Sequence, residues 1–298
     1  MALSFRIPGI VTLAAVRAPA EVAAVDDAVG VDRMLSGRGG LVNRAIAGKL
    51  SVFRTADGRV WPAFASRGDL ARAAQQHDLE AKLSDSEALV RRLTSEIGGV
   101  ADCIRDGSSS MAIGVAVQRL VGRLFFADYV SDEASFAAAL TLSKWLSAGP
   151  LASRRLRRSG ELQRALDLVL ARARGDTACA HATALALHNI VDAVGRMQRL
   201  ARRAGELARI TSADAVTQTL QAPPRVIREV KDSVKIGGCE LPARSLVLVS
   251  VEAARKRSRD EGTAFFVNHW NQCPAHSIVP RLLAEVWRTA AAKPGAGT

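Results

Sequence analysis

Aromatic side chains make up only 4% of the 298 residues, with a single Tyr, so Ala, Leu and Val must fill most of any core. Cysteine is scarce as well. Cys103, Cys179, Cys239 and Cys273 lie far apart without C-x-x-C spacing, which argues against a disulfide scaffold and for reduced thiols. Long hydrophobic runs are missing. The stretch Gly9–Val16 is too short to span a bilayer, and Arg17 stands where the cleavage region of a secretory signal would be. These gaps predict a soluble, cytoplasmic protein with no membrane span. Acidic residues are in deficit, 29 against 41 Lys and Arg, leaving a net charge of +12. A basic docking face for nucleic acid, an anionic membrane or an acidic protein would account for that excess, and so would an Ala- and Arg-rich composition alone.

What is present is a chain 48% hydrophobic and 23% charged, enough for one large domain or two ordinary ones. Residues 1–65 mix short β-like runs with loops such as Ser36–Gly40 and the turn signal Asp57-Gly58. From 66 to 210 the apolar period becomes helical, with segments near 112–126, 132–146 and 160–174. One long helix is expected over Asp176–Ala208, capped by Asp176 or Thr177, lined by Leu185, Leu187, Ile190, Val194 and Met197, and ended by Gly205. Over 211–298 the period shortens. Val226–Ile227, Val230, Val234–Ile236 and Leu246–Val249 read as strands, and a last helix over Ala275–Ala290 should be kinked by Pro280. The fold class is mainly α (α+β), with a small β-rich region near the C-terminus.

The chemistry concentrates around Cys273. A thiolate that binds metal needs its charge stabilised, and a helix start supplies free N–H groups, with Pro274 suited to the first helical position. An aromatic such as Phe266, seven residues earlier, can shield the sulfur from water. Phe266, Cys273 and Ala275 resemble the thiolate signature of the cytochromes P-450. There is a second stretch of resemblance upstream, where Pro223-Pro224 leads to Arg228, Gly237-Gly238 and Leu241-Pro242-Ala243.

The resemblance implies a single helical domain holding haem b, with Cys273 as axial iron ligand, Phe266 over the sulfur and Arg228 on a propionate. A guanidinium fork suits a carboxylate. It further implies a monooxygenase acting on a small apolar organic substrate, with electrons from an acidic partner, a ferredoxin or flavoprotein reductase. The alcohol that handles oxygen in that family falls on Thr183, the candidate catalytic residue. The sequence departs from the pattern at several points. Ala182 replaces the acid before that alcohol, Thr217 and Leu220 replace the Glu-x-x-Arg pair, and His269 and Asn271 replace the Gly and the basic residue before the Cys. A degenerate relative that binds haem or a ligand without turnover is the alternative.

Other readings of the same residues stay open. Cys273 suits a small buried thiol, or a zinc ligand with His269, His276 and Cys239. Thr183 suits a hydroxyl bonded back to its own helix. Arg154-Arg155-Leu156-Arg157-Arg158 reads as a solvated basic run, and as a nucleic-acid contact it lacks interleaved aromatics. Trp61 and Arg67 resemble, at the wrong spacing, a Trp and Arg that touch a propionate in the family.

Overall fold

The computed structural model describes residues 3–33, 36–55, 57–204, 207–258 and 261–292. They fall into two compact units, each assembled from separate pieces of chain: 1–79 with 221–276, and 80–220 with 277–298.

The first unit is built on a five-stranded sheet. Its strands are β1 (Leu3–Ile7), β2 (Val11–Val16), β3 (Val31–Asp32), β4 (Val226–Val230) and β7 (Leu246–Val249), in the order β1-β2-β7-β4-β3. β2 and β7 run parallel, with Leu13 beside Leu246, while the other pairs are antiparallel. A separate hairpin joins β5 (Val234–Ile236) to β6 (Cys239–Leu241) through Gly237 and Gly238, whose φ values of 56° and 85° fit the two-residue turn such hairpins need. The expected strands near the C-terminus are thus present; β4 and β7 pair with N-terminal strands as well as with each other, while β5 and β6 form a hairpin of their own.

Period-2 alternation sends the two faces of this sheet into different cores. Ala14, Val16, Val230, Val247 and Val249 meet α1 (Pro19–Asp27), α13 (Val251–Ser258) and Phe266 on one side. Val11, Leu13, Ile227 and Leu246 meet Val42, Ile46 and Leu50 of α2 (Leu41–Leu50) on the other. The β1–β2 turn caps α2, because the carbonyls of Gly9 and Ile10 accept the N–H groups of Leu41 and Val42 at 3.2 Å each. α3 (Leu70–Leu83) leads out of this unit.

The second unit is helical: α4 (Ser86–Arg92), α5 (Thr94–Arg105), α6 (Ser110–Arg123), α7 (Glu133–Ser147), α8 (Pro150–Arg158), α9 (Glu161–Arg172), α10 (Thr177–His181), α11 (His188–Ala204), α12 (Ser212–Thr219) and α14 (Ile278–Ala291). Asp132 caps α7 and Asp176 caps α10, each carboxylate accepting first-turn N–H groups. Small residues let helices meet closely. A Cβ on Gly114 of α6 would collide with the Phe136 ring of α7.

Two expectations are corrected here. The long helix over Asp176–Ala208 is interrupted by a π turn at Ala182–Ala186, where the Leu187 N–H reaches back five residues to the Ala182 carbonyl (3.0 Å). It closes at Ala204, and Gly205 lies outside the described residues. The last helix starts at Ile278, not Ala275, so Pro280 is its third residue and removes no helical hydrogen bond. The run Arg154–Arg158 is the solvated basic stretch that was expected: it forms the C-terminal half of the amphipathic helix α8, with its four arginines exposed, Leu156 buried and the Arg157 guanidinium 5.2 Å from the Trp145 ring centroid.

Candidate functional site

Arg228, Phe266 and Cys273 come together in the sheet-bearing unit. On β4, Arg228 lies opposite Val247, so it projects from the sheet face that buries Phe266. Its guanidinium carbon sits 5.7 Å from the Phe266 ring centroid, close enough for a cation–π contact. Arg228 is only 7% exposed, and its Nε has no hydrogen-bond partner.

The loop that carries the thiol is tightly wound. Phe266 (φ 53°) and Asn268 (φ 67°) adopt left-handed backbone that non-glycine residues rarely take. The Cys273 N–H donates to the Phe265 carbonyl (2.8 Å), and the Cys273 carbonyl accepts from the His276 N–H (3.1 Å). Because α14 begins five residues later, Pro274 is not at a helix start, and the sulfur receives the N–H of Ala275 instead of a helix dipole. Cys273 is partly buried. Burial pushes its thiol up from the ordinary value, while the Ala275 N–H and the positive charge of Arg33 act in the opposite direction.

Sequence reasoning missed the group that surrounds Trp270. Three guanidinium carbons face that indole ring: Arg72 at 4.4 Å, Arg33 at 5.3 Å and Arg67 at 5.4 Å from the centroid. Burial, together with Arg72 and Arg228 alongside, pulls Arg33 down to about 9 despite Asp26 and Asp32. Burial likewise pulls Arg72 to about 10. Arginine stays charged in proteins, so these depressions mean crowded, undercompensated positive charge. Asn271 turns inward and donates to Asp26 Oδ1 (3.2 Å). Burial raises the Asp26 carboxyl, and its Oδ2 has no partner. Only Arg67 drew attention in the sequence. The Arg33 and Arg72 side chains carry no local motif, and only the fold brings them beside Trp270.

Trp61 takes no part in this group. It is fully buried against Phe53, and its Nε1 donates to the Arg54 carbonyl (3.1 Å). Thr183 belongs to the helical unit, fully buried in the π turn. Its hydroxyl donates to the Cys179 carbonyl (2.7 Å), and its own carbonyl accepts from Gln118 (2.9 Å). No group of three or more His, Cys, Asp or Glu side chains able to hold a metal ion occurs among the described residues, so His269, Cys273, His276 and Cys239 do not assemble a zinc site. Among those residues, too, no helix is long and apolar enough to cross a membrane.

No family model and no curated protein matches the sequence. Solved structures do match. CYP164A2 of Mycobacterium smegmatis with econazole bound is 17% identical at a TM-score of 0.60, over 97% of this chain and 86% of that one. The P-450 RauA, complexed with a biosynthetic intermediate of aurachin RE, is 13% identical at a TM-score of 0.62, over 93% and 83%. The cytochrome P-450 OleT, in complex with arachidonic acid, is 11% identical at 0.60, over 96% and 82%.

Proposed function

We propose, for a chain that has the cytochrome P-450 fold, that it is a haem-thiolate oxidoreductase acting on a small apolar organic substrate. The observation that carries this reading is the joint placement, in one unit, of a partly buried thiol on the Phe266 loop and a buried guanidinium over the Phe266 ring whose Nε has no partner. The residues fit an iron porphyrin. Cys273 would supply the thiolate that holds the iron, and the N–H donors without partners would take up the porphyrin carboxylates.

Bound there, haem b would supply oxygen-dependent oxidation fed by an external electron donor. The protein's share is binding and environment. Cys273 would ligate through its sulfur, the Ala275 N–H would steady the negative charge on that atom, and Phe266 would keep water from it. Arg228 would hold a propionate through its guanidinium. The apolar substrate class draws support from the ligands of the similar structures, an azole, an aurachin intermediate and a fatty acid. The net charge of +12 favours an acidic ferredoxin or flavoprotein as donor.

A second reading, haem or ligand binding without oxygenase turnover, is favoured by Thr183. Its hydroxyl proton is already given to the Cys179 carbonyl, and Ala182 beside it offers no acid. The two readings separate by experiment. Protein reconstituted with haem, reduced and exposed to carbon monoxide should show the family's characteristic band, and Cys273→Ala should lose it. Identical spectra from both proteins would refute the thiolate assignment. A normal band without reductant consumption, whatever apolar substrate is added, would select the second reading.

A further inference from the structure

Position 271 poses a question of charge. The residue two before the thiol is an asparagine, and its amide is tied to Asp26 at 3.2 Å, so it brings no positive charge. Yet the surroundings are rich in buried donors that lack an acceptor: Arg33 Nε, Arg228 Nε and the indole Nε1 of Trp270. Each such donor costs the protein unless a ligand or water satisfies it. Two acceptors, Asp26 Oδ2 and Asn271 Oδ1, are also unsatisfied, but Arg33, Arg67, Arg72 and Arg228 outnumber Asp26, Asp32 and Asp69.

We propose that Arg33, held against Trp270, is the cation this chain uses in place of residue 271 to bind a porphyrin carboxylate. This rests on the haem reading above. Arg33 is suited to the task in two ways. Its Nη1 is anchored on the Ala63 carbonyl at 2.8 Å, so the fork has a fixed direction. Its Nε remains free to donate. The aromatic platform also explains how neighbouring guanidiniums tolerate each other, since the indole face offers negative potential to all three. A dicarboxylate with one arm toward Arg228 and the other toward Arg33 would give those two guanidiniums the acceptors they lack.

The test compares iron protoporphyrin IX with its dimethyl ester, which keeps the macrocycle and removes both charges. Absorbance titrations give the affinity of each for the wild-type protein, Arg33→Gln, Arg33→Lys and Arg228→Gln. The free acid should bind Arg33→Gln at least tenfold more weakly than wild type, and Arg33→Lys should recover part of that loss. The ester should bind all four proteins alike, which also verifies that the variants are folded. Free-acid affinity unchanged in Arg33→Gln but lowered in Arg228→Gln would overturn the role of Arg33 and leave the haem reading intact. Equal weakening of acid and ester in Arg33→Gln, unrelieved in Arg33→Lys, would reduce Arg33 to a structural residue. Failure of the wild-type protein to bind either porphyrin would overturn both.

Discussion

Glu229 is fully buried and is the acceptor for four donors: the Ser36 N–H (2.6 Å), the Ser36 hydroxyl (2.9 Å), Asn43 Nδ2 (3.3 Å) and Lys231 Nζ (2.8 Å). Burial alone would raise its carboxyl, but the bonds from Lys231 and Ser36 outweigh burial and hold it below the ordinary 4.5. A carboxyl whose folded value is depressed adds stability that is fully present above the unfolded value and lost as pH falls through the folded one. Glu229→Gln should therefore cost about 1.5–3 kcal/mol at neutral pH, the range for hydrogen bonds to a charged group. It should also flatten the fall of unfolding free energy below about pH 4.5. Denaturant titrations at a series of pH values check this, and parallel pH profiles for the two proteins would contradict it. At this scale the sequence was only partly readable. Arg228, Phe266 and Cys273 were visible because local patterns surround them. Arg33, Arg72 and Asp26 were not, because nothing next to them in the chain hints at Trp270.

Among the elements, α6 and α7 depend on contact between backbone and ring. Gly114 leaves the space that the Phe136 ring fills. Gly114→Ala would gain about 1 kcal/mol of helix propensity. The added methyl must nevertheless displace a buried ring, a change that typically costs about 1–3 kcal/mol. The variant should be neutral to less stable by urea unfolding, and a gain of a full kcal/mol would show that the ring moves aside freely. Helix positions were legible wherever caps and apolar stripes agreed, as at Asp132 and Asp176. The π turn was not, because its cause is tertiary: Gln118 on α6 donates to the Thr183 carbonyl from another helix. The start of α14 was misplaced because Pro274 imitates a first helical residue, while the Cys273 N–H is taken by the Phe265 carbonyl and the chain turns before coiling.

On the scale of the molecule, each unit needs pieces from distant parts of the chain. The helical unit is completed by α14, where Trp287 is 1% exposed and donates to the Ile210 carbonyl (2.9 Å). α14 packs on α5 and α12. Trp287→Ala should destabilise that unit by about 3–5 kcal/mol, as large aromatic truncations do. Hydrogen exchange should show the loss at the amides of α5, and undiminished protection there would contradict it. The mainly helical architecture was legible in the change of apolar period. The division into units was hidden, since no linker-like composition marks the crossing near residue 79, and the prolines near 220 and 276 read as strand and helix punctuation.

The parallel pairing of β2 with β7 has a consequence for biosynthesis. Leu13 finds its neighbour only when Leu246 has been made. At roughly 5–20 residues per second, the early hairpin waits on the order of ten to fifty seconds on the ribosome with one edge unzipped. Such a strand is an open template for other nascent chains. Production of this protein should therefore respond to translation speed and chaperone supply more sharply than its finished stability would suggest.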